Sequence, residues 1–220
     1  ISQRHSTLNL GYTTDMWIGY DHCAEIPAQL SRSLLKFDTS GIPPGASILD
    51  ASLHLYLWNS CDLGPRTHLA TVYRSSSAWS EMSVTWNNQP SYAEAYGSAW
   101  ISSIDWGWHS FEVANLVRGW VNGSVANHGL MVRGPESSGD DSARLGFAAR
   151  EWPGVEKDPY IRVKYTDTSA AISEIKVPVS VAGPEIALPG STTKDLLSPL
   201  KHDSEPGTPG FVECVESTSD

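Results

Sequence analysis

Residues 51–58 alternate more cleanly than any other stretch of this chain: Leu53, Leu55 and Leu57 fall on one side, and His54, Tyr56 and Trp58 on the other. Side chains of an extended strand point to opposite faces in turn, so a run of this period is a strand that must bury its leucines against a second layer. Its other side is aromatic, and is either covered by a loop or open to a ligand. Shorter runs of strand-like composition recur on both flanks, at residues 14–19, 33–38, 69–74, 108–113, 129–133, 145–150 and 160–165. Turn formers punctuate them, most heavily at Gly41-Ile42-Pro43-Pro44-Gly45. Helical spacing occurs once with any strength, through Val113, Leu116, Val117, Trp120 and Val121, and stops at Asn122-Gly123. This pattern predicts an all-β, antiparallel, two-sheet sandwich of the jelly-roll kind, with one short helix closing an end of the core.

Beyond Asp167 the composition changes. Eight acids face three lysines, Ser, Thr, Pro and Gly dominate, and aromatic residues nearly vanish. The expected organisation is therefore a folded unit over residues 1–167 and a disordered acidic linker or tail over 168–220, with at most one loosely placed strand at 175–186.

Several function classes drop out on charge and motif. A net charge of −10 opposes binding to nucleic acid or to an anionic membrane, both of which need a cationic field. No apolar run approaches the 18 or so residues of a spanning helix, so membrane insertion is not expected. His-Glu-x-x-His, a phosphate-binding Walker loop, a Gly-x-Ser-x-Gly elbow and a Cys-x-x-Cys pair are all missing from the sequence. Hydrolysis of a glycoside would need only two facing carboxylates, for which Glu81, Glu94, Glu112 and Glu151 are available, but most acids on a β surface are simply solvated. The chain opens at Ile1 in the style of a mature sequence and is expected to be a fragment of something longer.

Three cysteines are present. A bridge between Cys23 and Cys61 would close a loop of 38 positions and stabilise the fold by about 4 kcal/mol, as an exported protein would use. The alternative is a pair of small buried thiols. Cys214 lies in the tail and is expected to have no partner.

Short motifs in a fixed order carry a resemblance. Leu35, Phe37, Asp38, Ser40, Ile42 and Pro43 form the first. Val72, Tyr73, Trp79, Glu81, Val84, Thr85, Trp86 and Asn87 form the second and most specific. Phe111, Val113, Leu116, Val117, Trp120 and Gly123 form the third, and Arg150-Glu151 ends the series. In these the chain resembles the DNRLRE domain, placed among carbohydrate-binding modules as family 96 and found beside disaggregatases and polysaccharide lyases. The likeness spans roughly residues 3–166. It departs from the pattern at Glu112 and Ala114, where the family has Asp and Thr, so that a helix cap would have to come from elsewhere, with Asn115 as the candidate. The resemblance implies a non-catalytic module of a larger secreted or cell-surface protein, with polysaccharide and the other domains of that protein as partners. A structural or adhesive spacer and a polysaccharide-degrading enzyme are the alternative readings.

Sugar recognition needs flat rings against the CH faces of a pyranose, and planar polar groups for its hydroxyls. Trp79, Trp86 and Trp120 lie inside the motifs and are expected to build core. Tyr92, Tyr96, Trp100, Trp106 and Trp152 lie outside them, near Gly or Pro, and are the candidate ligand contacts, with Arg133 as polar partner. Arg150 is expected to pair with an acid. Glu136, Asp140 and Asp141 form the densest acidic group, the candidate site for a structural calcium ion, against the plainer reading of a solvated acidic turn.

Overall fold

The computed structural model describes residues 1–21, 29–62, 64–137, 142–167 and 169–180. Eleven strands and one helix follow in the order β1 (Asp15–Asp21), β2 (Gln29–Ser31), β3 (Ser33–Leu35), β4 (Ser47–Asp62), β5 (Thr67–Ser75), β6 (Tyr92–Ser102), β7 (Gly107–Glu112), α1 (Ala114–Val121), β8 (Leu130–Arg133), β9 (Ala143–Ala148), β10 (Tyr160–Thr166) and β11 (Ile172–Pro178). They form two antiparallel sheets. The larger runs β11-β10-β4-β9-β1-β2, with β7 also bonded to β4, and the smaller runs β3-β8-β5-β6. The architecture is the sandwich that the alternation and turn spacing predict.

The long strand β4 organises the larger sheet. Leu53, Leu55 and Leu57 are fully buried, and Leu53 sits level with Ile161 of β10 on one side and Phe111 of β7 on the other. Across the core Ala70, Val72, Ile101, Leu130 and Val132 come down from the smaller sheet. Burying side chains of this size contributes roughly 1.5–3 kcal/mol each, which fixes the facing of both sheets. Each sheet therefore keeps one outer face, on opposite sides of the sandwich.

Helix α1 buries Leu116, Val117 and Trp120 at the end of this core. Its cap differs from the expectation: the Glu112 carboxylate accepts the Ala114 N–H at 2.8 Å, whereas Asn115 Oδ1 accepts from Arg118 Nη1 at 2.6 Å. The acid two residues ahead of the helix reaches its first amide, so the longer Glu takes the part assigned to Asn115. At the other end Gly123 adopts φ +75°, a left-handed turn that glycine enters without a Cβ penalty.

Two expectations are corrected. Trp120 is core at 7% exposure, but Trp79 and Trp86 are half-buried and stand outside the central cluster. Both sit on the turn-rich segment before β6. The Trp79 indole donates to the His128 carbonyl at 2.8 Å with Lys36 Nζ 4.7 Å over its ring, so it is a lid rather than a filling. Secondly, the one strand allowed in the stretch read as linker, at 175–186, starts earlier and is fully paired: it is the edge strand β11, bonded along β10 from Thr166↔Ile172 to Tyr160↔Pro178, with Val177 buried. Ile175 and Val177 turn toward the core and anchor this edge, while Ile172 stays exposed. Residues 181–220, including Cys214, lie outside the described residues. Among the described residues no helix is long and apolar enough to cross a membrane.

Candidate functional site

The outer face of the smaller sheet is built by cross-strand pairs. Residues directly opposite in an antiparallel ladder share a face. Leu69 of β5 stands opposite Trp100 of β6, and Thr71 stands between Ser98 of β6 and Arg133 of β8. A 3.0 Å hydrogen bond between the Thr71 and Ser98 hydroxyls confirms the common facing. Leu69, Thr71, Trp100 and Arg133, with Tyr73 and Glu136, border a groove of about 380 Å³. Trp100 projects from one wall at 69% exposure.

Tyr73, Arg133 and Glu136, which also line the groove, belong to a ladder of rings and cations that continues beyond it. Arg133 lies 4.4 Å from the Tyr92 ring centre and 5.3 Å from that of Tyr73. Arg32 lies 4.8 Å from Trp86 and 5.7 Å from Tyr92, and Tyr73 meets Tyr92 edge to face at 5.0 Å. Glu136 ties the two guanidinium groups together. Its Oε1 accepts from Nε of Arg32 and of Arg133, each at 2.8 Å, and its Oε2 accepts from Nη2 of both. Gln89 Oε1 takes a further N–H from Arg32 at 2.9 Å while its amide donates to the Trp86 carbonyl. Burial alone would raise the Glu136 carboxyl, but the hydrogen bonds and charges of Arg133 and Arg32 outweigh it and hold the group at about 2. Two cations and one anion leave a local positive surplus on an acidic protein.

The sequence-derived ligand residues separate into three groups. Trp100 and Arg133 line the groove and Tyr92 stands against Arg133, with both rings on strand β6 rather than on a loop. Tyr96 is half-buried against the core, contrary to expectation. The register slips between Val72↔Gly97 and Tyr73↔Ala95, so Tyr96 is the extra residue of a bulge and loses the outward facing that alternation with Ser98 and Trp100 would give it. Trp106 likewise packs against the core from the turn after β6. Trp152 lies on the far side of the sandwich, 4.5 Å from Trp58. The sequence reading missed Tyr73, Trp86 and Arg32. The first two sit inside family motifs, where Trp86 was assigned to core and Tyr73 was given no role of its own, and Arg32 is an isolated cation between two short strands.

The acids are already engaged. Glu136, assigned to calcium, is held by two guanidinium groups that oppose a further cation. Asp140 and Asp141 lie outside the described residues, as does Cys23, while Cys61 is buried in β4. Among the described residues no three metal-ligating side chains come together. Glu81 and Glu151 both pair with Arg150, at 3.2 and 2.5 Å, which agrees with the structural role expected of that arginine. Glu94 pairs with Arg74 at 2.9 Å, and Glu112 caps the helix. Among the described residues bordering the groove, Glu136 is the one carboxylate.

The arrangement offers a projecting indole beside a groove lined by Tyr73 and by fixed guanidinium and hydroxyl groups, the combination that pyranose rings require. A search among curated proteins finds no match for this chain. The family model of carbohydrate-binding module family 96 matches residues 1–165, from the amino-terminal segment into β10. A match across most of the 220 residues, and over the whole of the smaller sheet, is decisive: the chain belongs to carbohydrate-binding module family 96.

Proposed function

We propose that this chain is a non-catalytic, polysaccharide-binding module of a larger exported or cell-surface protein, and that it holds its ligand in the groove over the smaller sheet. One observation carries the assignment: Trp100 stands 69% exposed on a strand, beside a groove that Tyr73 and Arg133 also line. A Trp side chain left in water on a rigid element serves no packing purpose, and its flat face lies where a sugar ring can stack. Thr71 and Arg133 supply hydroxyl partners. The engagement of the four candidate acids by arginine ion pairs or by the helix amide supports a binding rather than a hydrolytic role. The exposed indole also disfavours a purely structural spacer, in which surface rings would be packed away.

The test is retention of the chain in affinity gels containing a mixed-linkage β-glucan, a xylan, a mannan or a polyuronate, with Trp100→Ala run beside the parent. Retardation by at least one glycan, weakened in the variant, is expected. Migration unaffected by all four would sink the proposal. An export pathway fits the further proposal that Cys23 and Cys61 are bridged.

A further inference from the structure

The outer face of the larger sheet carries a second ring cluster that the groove does not use. His54 and Tyr56 of β4, which alternate with the buried leucines, meet Trp108 of β7 and Tyr160 of β10 there. Tyr56 and Trp108 are perpendicular, with centres 5.4 Å apart. Trp108 and Tyr160 meet edge to face at 5.3 Å, and His54 stacks on Tyr160 at 4.7 Å with planes 7° apart. The cluster continues through Lys157, whose Nζ lies 4.8 Å from both the Tyr56 and Trp152 rings, to Trp152 on Trp58. Lys176 covers the other end, 4.6 Å from Tyr160. Burial and the positive charges of Arg162 and Lys176 lower the pKa of His54, which favours the neutral ring in this stack.

Leu53, Leu55 and Leu57 already supply the core from this strand, so the rings on its solvent side are surplus to packing. Trp108 remains 41% exposed. The character of the strip selects its occupant. Protein interfaces concentrate apolar area at the centre and expel charge to a rim, whereas here ammonium groups sit over the rings themselves. Alternation of ring faces with hydrogen-bond donors along a strip is what an extended chain of sugars needs.

We infer that the outer face of the larger sheet is a second carbohydrate-binding surface, so that one module grips two polysaccharide strands on opposite sides of the sandwich and bridges them. The inference rests on the proposed function of the groove, and extends it from capture to cross-linking. Both sheets share one core, so the two faces point in opposite directions and one short glycan segment does not lie on both.

The experiment compares the full chain with Trp100→Ala, Trp108→Ala and the double variant. Each is assayed for retention in gels of whichever of the four glycans retards the parent, and for light scattering when added to that glycan in solution. Each single variant is expected to lose about tenfold in affinity. Only the parent should raise the scattering, and the double variant should neither bind nor scatter. If Trp108→Ala matches the parent in both readouts while Trp100→Ala is weakened, the second surface is refuted and the groove stands. If Trp100→Ala matches the parent while Trp108→Ala abolishes retention, there is one site and bridging is refuted. Self-association of the parent without glycan, abolished by Trp108→Ala, would make the strip a protein interface and also overturn the inference. Should Trp108→Ala fail to fold, Lys157→Ala with Lys176→Ala removes the donors, keeps the rings, and is read in the same way. A parent that binds none of the glycans refutes both readings together.

Discussion

The Arg133 guanidinium lies 4.4 Å from the centre of the Tyr92 ring while its Nε donates to Glu136 at 2.8 Å. One side chain thereby joins the ring wall of the groove to the anion that neutralises it. Arg32 repeats the arrangement beside Trp86, so the ladder is locked at both ends by the same carboxylate. A wall fixed in this way loses little entropy when a ligand docks.

Replacing Trp100 by Ala should separate binding from stability. The indole is mostly in water, so the unfolding free energy should move by less than about 0.5 kcal/mol. Glycan affinity should fall by about tenfold or more. Thermal unfolding and isothermal titration on the same samples check this, and a matching loss of stability would mean that the ring is packed.

Glu136→Gln should destabilise the fold by about 2 kcal/mol, because two guanidinium groups lose their shared anion. The same carboxyl predicts an acid dependence. Its pKa is held at about 2, below the ordinary 4.5, so its contribution is complete above the ordinary value and is lost as the pH falls through the folded one. Denaturant titrations from pH 6 down to about pH 2 should therefore show a steeper decline in the parent than in the Gln variant, which keeps only the contributions of the other carboxylates.

Gly97→Ala should be costly although β6 is an edge strand. A Cβ at this position would stand 2.3 Å from the Glu112 carbonyl oxygen of β7, a backbone atom that cannot step aside. A loss of roughly 1–3 kcal/mol is expected from such overpacking. Chemical denaturation measures it, and an unchanged midpoint would contradict the close approach of β6 and β7.

Peptide mapping without reductant should recover Cys23 linked to Cys61, as the proposed bridge requires. Reduction should then lower stability by about 4 kcal/mol, the chain-entropy value for a loop of this length. Recovery of both as free thiols would instead leave Cys61 as a small buried core residue.

Much of the architecture was legible from residue order. The Leu53, Leu55 and Leu57 alternation marked the central strand, and the spacing of Leu116, Val117 and Trp120 marked the helix. Two strands were not delimited: β4 runs four residues past Trp58 to Asp62 through a register shift near Asn59, and β6 runs through residues 92–102, a stretch read as a mixture of loop and strand. Periodicity fails at bulges because one inserted residue inverts the pattern on either side of it. The capping of α1 by Glu112 was likewise hidden, since a carboxylate one methylene longer than the family's Asp was not expected to reach Ala114.

By itself the order of residues determined that facing strands enclose a leucine-lined core, that the family motifs recur in sequence, and that Trp and Tyr exceed any packing need. Tertiary structure alone decided which of those rings meet water. Tyr96 and Trp100 sit four positions apart on one strand and look alike in sequence, yet the bulge sends one against the core and leaves the other over the groove. Arg32 and Arg133, a hundred positions apart, acquire a shared purpose through Glu136. Burial and pairing of this kind depend on distant segments converging, and local spacing carries no record of that convergence.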